Sequence, residues 1–188
     1  STDFRSLDES NGVWNLRLYG KGEPGPVIVT GSILNQVPED LYISVVDIPR
    51  RAVLDHFLET GLTIQEKITN AYELKLVAGD ENYVLETVES ILADIPEEFS
   101  LGQNYPNPFN PLTKIDFALP KTGRVVVTIY NILGQEVTTL INQRLDYGYH
   151  TVTWQGTDRM GRPVGSGVYF SELKAAGFRK TRKMLLMK

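Results

Sequence analysis

Apolar and polar residues alternate along most of this chain. Trp14, Leu16 and Leu18 fall on one side of an extended segment and Asn15, Arg17 and Tyr19 on the other, the two-residue period of a half-buried strand. Residues 20–26 are dense in glycine and proline and predict a turn. Residues 27–30 and 41–47 predict strands, the second limited by Pro49, which has no N–H for a ladder. Residues 52–58 read as a short strand or as one helical turn. Residues 62–66 and 71–78 read as two further strands, with a turn at 79–82. Over 83–93, Val84, Leu85, Val88, Ile91 and Leu92 change to helical spacing and predict a helix.

Residues 95–111 break the pattern. Pro106, Pro108 and Pro111 alternate with Asn107, Phe109 and Asn110, a run that fits neither a helix nor a central strand. One reading is an extended, polyproline-like linker. The other is an ordered segment that Tyr105 and Phe109 pin onto the following domain. Alternation then returns at 114–119. A β-branched run follows at 124–130, and further strands are expected at 136–141, 149–154, 168–175 and 179–187. Turns are expected at 121–123, 131–135, 156–167 and 176–177. About seven short strands with this turn spacing argue an immunoglobulin-like β-sandwich. The fold class expected is all-β, with two β-sandwich domains. The domains expected are a β-rich spacer or stalk at 1–94, a Pro/Asn-rich linker at 95–111 and an immunoglobulin-like domain at 112–188.

Charge sharpens the division. The whole chain of 188 residues carries net -4, but residues 1–98 carry net -11 and residues 99–188 net +7. An asymmetry of this size supports a boundary near Pro96 to Phe99. With 41% hydrophobic residues the chain can bury a core. It has no cysteine, which excludes disulfides, thiolate zinc sites and a cysteine nucleophile. No apolar run approaches the roughly 20 residues that span a bilayer. The polar start at Ser1, with neither Met nor signal peptide, reads as a fragment of a longer precursor.

Candidate chemistry is sparse. Glu97-Glu98 and Asp80-Glu81 lie in turn-like segments, where carboxylates are solvated rather than tuned for acid–base work. His150 has no Ser or Asp signature beside it, and both His150 and His56 read as solvated or packed histidines. Residues 3–12 only loosely resemble a calcium loop, because the spacing of acidic ligands is not met. Gly161, Gly165 and Gly167 are read as turn residues supplying positive φ, not as a phosphate cradle. The basic run at 179–183 reads either as a recognition surface for an acidic or anionic partner or as edge charge that blocks aggregation. Trp14, Tyr19 and Tyr42 offer a second reading, a carbohydrate- or ligand-binding module appended to a secreted enzyme. No catalytic residue, metal or cofactor is assigned, and the expectation is a protein that is not an enzyme.

Three ordered motifs carry a resemblance. Residues 95–111, centred on Pro106, Asn107, Pro108 and Phe109, resemble the opening of type A C-terminal sorting domains of the bacterial type IX secretion system. Residues 127–137 are similar to that family's Tyr-Asp-x-x-Gly-Arg/Gln-x-Val element, with Asn131 in place of Asp. Gly167, Val168 and Tyr169, then Thr181, Arg182 and Lys183 after a spacer, resemble its closing pattern. The domain is similar also to the Ig-like domain of flagellar hook-capping proteins. The resemblance implies a secretion, sorting and surface-anchoring signal, recognised by an outer-membrane translocon and a sortase-like peptidase. Coupling to anionic lipopolysaccharide is a further implication. The location implied is secreted or cell-surface with a transient periplasmic stage, with no nucleic-acid partner and no transmembrane segment. The end at Lys188, just past Lys183, fits a natural C-terminus. Residues 12–94 look, more weakly, like the β-rich module found upstream of such domains.

Overall fold

An extended segment with one apolar face leaves its backbone unsatisfied until it pairs. The computed structural model describes residues 11–19, 27–29, 40–54, 61–64 and 72–188. The chain forms two compact units, Ser1–Ala93 and Asp94–Lys188. The turn expected at 20–26, most of the loosely calcium-like segment and His56 lie outside the described residues.

The first unit contains β1 (Gly12–Leu18), β2 (Val27–Val29), β3 (Tyr42–Asp47), β4 (Ala52–Leu54), β5 (Leu62–Ile64), β6 (Tyr72–Gly79) and the helix α1 (Glu81–Ala93). Four strands make an antiparallel sheet in the order β1-β6-β3-β4, and β2 pairs with β5. The ambiguous segment after Arg51 is a strand over its described part. Val45, Tyr72 and Leu74 share a core with Leu62 and Ile64, and Leu16 and Leu18 pack against it on the face that alternation predicts. At the end of β3, Asp47 is fully buried. The Tyr72 hydroxyl donates to its carboxylate at 2.8 Å and Arg50 pairs with it at 3.4 Å. Those donors replace the water that burial removes.

Helix α1 begins two residues earlier than apolar spacing indicates, because Asp80 caps it. The Tyr83 amide donates to Asp80 Oδ1 at 2.9 Å. That bond holds the Asp80 carboxyl below its usual range, partly opposed by desolvation and helped by Asn11. The helix packs against β3 and β6 and buries Val84, Val88 and Ile91. Arg51 donates to the Leu92 carbonyl at 3.2 Å, satisfying one orphan acceptor of the last turn.

The second unit contains β7 (Ser100–Leu101), β8 (Thr113–Leu119), β9 (Gly123–Asn131), β10 (Glu136–Leu145), β11 (Gly148–Trp154), β12 (Gly167–Ala175) and β13 (Phe178–Leu186). They form an antiparallel sheet β10-β9-β12-β13 and a second sheet β11-β8-β7. The inward residues Ile115, Phe117, Leu119, Val125, Val127, Ile129, Leu173 and Met184 fill one core between the sheets. Strand β10 runs past the expected end at Ile141. Two register shifts, at Glu136/Thr138 and Thr139/Ile141, let it follow β9 to Gly123. The β9–β10 turn is fixed by Asn131, whose Oδ1 accepts from the Leu133 and Gln135 amides at 2.9 and 3.0 Å. Gly134, at φ 75°, supplies the left-handed residue that such a turn requires. Of Gly161, Gly165 and Gly167, Gly161 has φ 77° and Gly167 φ 157° as expected, whereas Gly165 has no positive φ.

The segment expected as a linker is part of this unit. Tyr105 pairs by backbone with Lys114 of β8, and Phe109 bridges in parallel to Leu186 of β13. The chain therefore passes from one sheet to the other within a few residues. The Phe109 ring is 2% exposed and packs on Trp154 at 5.5 Å, and Trp154 packs on Tyr169 at 5.1 Å. Tyr105 does not share the pinning role, since its side chain is 78% exposed. A polyproline-like linker is not what forms, because burial of the Phe109 ring and its backbone bonds to β13 outweigh the local preference of the prolines. The peptides before Pro106 and Pro108 are cis.

Phe109→Ala is expected to destabilise the second unit by about 3–5 kcal/mol. The urea midpoint of that unit's transition should fall at unchanged m-value, read from Trp154 fluorescence.

Candidate functional site

The motif residues converge along β12 and β13. Antiparallel pairing sets Gly167 opposite Leu186, Val168 opposite Leu185 and Tyr169 opposite Met184. It also sets Glu172, Ser171 and Phe170 opposite Thr181, Arg182 and Lys183. The Pro/Asn segment lies along the outer edge of the same strand. Asn107 Oδ1 accepts from the Leu185 amide at 2.9 Å. The Phe109 amide donates to Leu185 O at 3.0 Å, and Met187 N donates to Phe109 O at 2.9 Å. Gln103 Nε2 donates to Lys183 O at 2.8 Å, and Arg182 Nε to Leu101 O at 3.0 Å. Groups about 80 residues apart in sequence thus close one edge.

The expected residues differ in what they do there. Tyr169 is buried, and its hydroxyl donates to Gly165 O at 2.8 Å. Desolvation of its ring pushes its pKa up. Phe109 is a core residue, and Pro106, Asn107 and Pro108 are exposed around it. Met184 and Leu186 point into the core, so Arg182 lies on the inner side and Thr181 and Lys183 on the outer side of β13. The basic run is therefore divided between two faces.

Several positions escaped the sequence reading. Asn104 is 2% exposed. Its Nδ2 donates to Pro106 O at 3.0 Å and to Thr113 Oγ1 at 2.9 Å, while Thr113 Oγ1 donates to Pro106 O at 2.9 Å. This buried cage holds the loop that carries Phe109. Glu172 is 3% exposed on the outer face of the sheet. Lys174 pairs with it at 2.7 Å, and Arg179 contacts it from β13. Desolvation pushes the Glu172 carboxyl up, but hydrogen bonds and charge from Lys174 and Arg179 outweigh it and hold the group below its usual range. Only the sequence alternation of a lone acid with Lys174 hinted at this. Asp158 organises the 158–162 turn by accepting from the Met160 and Arg162 amides, each at 2.9 Å. His150 stacks on Phe117 at 5.3 Å, a packing role.

Among the described residues, Trp14, Tyr19 and Tyr42 form no shared platform. Trp14 and Tyr42 fall on opposite faces of the sheet, since Trp14 aligns with Leu76 and Val45, and Tyr42 with Gly79. Tyr19 follows the other end of β1. Among the described residues no group of three His, Asp or Glu side chains is placed to hold a metal. Among them also, no helix is long and apolar enough to cross a membrane.

The second unit is an Ig-like β-sandwich module. In agreement with that class, the family model of the FlgD Ig-like domain matches residues 112–177. No curated protein matches the chain. Among solved structures the chain is similar to PorZ, described as an essential bacterial surface component of the type-IX secretion system of Porphyromonas gingivalis. The identity is 17% over 60% of this chain and 14% of that one, with TM-score 0.34. It is similar to FlgD from P. aeruginosa, with 26% identity over 39% of this chain and 58% of that one, TM-score 0.32. It is also similar to dimeric latent PorU from Porphyromonas gingivalis, with 16% identity over 80% of this chain and 12% of that one, TM-score 0.38. The chain spans only part of the length of each.

Two outcomes follow from this geometry. Asn104→Ala is expected to cost about 1–3 kcal/mol in urea unfolding, because it strips a donor from buried acceptors, whereas Thr113→Ser should keep most of the cage. The folded pKa of Glu172 is depressed, so its contribution to stability is present above the ordinary value of 4.5 and is lost as pH falls through the folded value. Glu172→Gln should therefore flatten the acid limb of the thermal-midpoint profile below about pH 4.5.

Proposed function

We propose that the chain is a non-catalytic recognition module of an exported bacterial surface protein, its second unit acting as a sorting and anchoring signal for the type IX pathway. The observation that carries this reading is that the opening motif and both parts of the closing pattern come together along β12 and β13, with Asn131 of the 127–137 motif paired beside them to Tyr169. Pro106 to Phe109, Gly167 to Tyr169 and Thr181 to Lys183 are far apart in sequence, yet they meet along β12 and β13. The match of residues 112–177 to an Ig-like domain supports the module but does not select its task.

On this reading the export machinery reads a folded surface, not a linear tail. Buried members of the motifs, Phe109 and Tyr169, build the scaffold. Exposed members, Lys183 above all, face the partner. The outer-membrane translocon and a sortase-like peptidase are the partners this implies, with lipopolysaccharide as an anionic acceptor. The location is then secreted or cell-surface, after passage through the periplasm. The first unit serves as spacer or stalk.

A reporter carrying the whole chain at its C-terminus is expected on the surface of a host that has the pathway. Removing Thr181 to Lys188 should leave the reporter in the periplasm. Surface protease accessibility reads the difference, and efficient display of the truncated form overturns the proposal.

A further inference from the structure

The outer edge of β13 is only half closed. Lys183 O, both polar backbone groups of Leu185 and the Met187 amide are taken by residues 103–109. Alternate residues of an edge strand present their backbone groups outward. By that alternation the amides of Arg179, Thr181 and Lys183 and the carbonyls of Arg179 and Thr181 face away from β12. Among the described residues none of these groups has a partner, and Arg179, Lys180, Thr181 and Lys183 are all exposed.

We propose that this open half-edge is a docking site for an extended acidic peptide, which adds as a further strand beside Arg179 to Lys183. The chain's own segment at 107–109 already pairs with the adjoining half of the edge, so the edge is competent to receive main chain. The register of β13 against β12 has no shift, whereas the opposite edge strand β10 has two, and the Arg159 amide already occupies Val137 O there. A bulged edge is a poor template. The third long edge, β11, exposes Tyr149, Thr151 and Thr153 and no charge.

Charge selects the occupant. Arg179 and Lys183 project from one face of β13 and Lys180 and Arg182 from the other. Arg179 is engaged by Glu172 and Arg182 by Leu101 O. Lys180 and Lys183 have no side-chain partner among the described residues. A second copy of β13 laid along the same edge would oppose like charges, which is destabilising. The same residues that discourage self-pairing therefore favour a strand with carboxylates at every second position. This inference rests on the edge geometry and holds whether or not the module directs export.

The test uses the full chain and the capped peptide Thr-Glu-Val-Glu-Val-Glu-Thr, with its Glu-to-Lys counterpart as control. Amide hydrogen exchange should slow at Arg179, Thr181 and Lys183 with the acidic peptide only, and affinity should fall as salt rises. Thr181→Pro removes the central outward N–H at an edge position, where proline is tolerated. It should weaken binding at least about tenfold, the order of a lost hydrogen bond to a positioned acceptor. If that variant does not fold, Lys180→Glu with Lys183→Glu provides the alternative, expected to reverse the preference to the basic peptide. No slowing at millimolar peptide, slowing confined to β10 or β11, or equal binding of both peptides overturns the proposal. A chain that binds the acidic peptide but fails to carry a reporter to the surface overturns only the export reading.

Discussion

Phe109 carries the constraint on which the second unit depends. A sandwich needs its two sheets held together at an open side, where no strand pair spans the gap. One residue does both parts of that work here. Its ring sits among Trp154 and the inward residues of both sheets, and its N–H and C=O pair with the last strand. The surrounding prolines make no ladder of their own, so the polar groups of Asn104, Thr113 and Gln103 satisfy the loop instead. Buried polar cages of this kind stabilise only when every member is satisfied. That dependence explains why hydrophobic packing and side-chain hydrogen bonding are inseparable at this corner.

The same strand shows how electrostatics are divided. A concentration of basic residues on a short edge strand would repel itself if it were all on one side. The pleat separates Arg179 and Lys183 from Lys180 and Arg182, and Glu172 anchors Arg179 from the neighbouring strand. Burial of Glu172 on a sheet face would be costly without those cations. On β12 and β13, Lys174 and Arg179 thus shield the one acid, while Lys180 and Lys183 are left toward solvent.

Strand positions were largely legible because the period of two survives wherever one face is wet. Leu16, Ile115 and Phe117 face the core that alternation assigns to them, whereas in the β-branched run at 124–130 only strand packing turns Val125 and Val127 inward. The start of α1 was not, since Asp80 reads equally as a turn residue until Tyr83 donates to it. The proline-rich segment stayed ambiguous between linker and strap. Local chemistry forbids helix and central strand there but is silent on a contact with Leu186 so far along the chain.

The motif residues divide in the same way. By itself the sequence determined the all-β class, the division into an acidic and a basic part, the turns, and which residues belong to recognisable motifs. Those are properties of local periodicity and composition. Only the tertiary structure decided that Phe109 and Tyr169 are scaffold while Lys183 is surface, that Glu172 is buried, and that half of one edge is closed and half open. Each of those depends on which strands lie side by side, and pairing between distant segments is fixed by the global packing of both sheets, not by any short stretch of the chain.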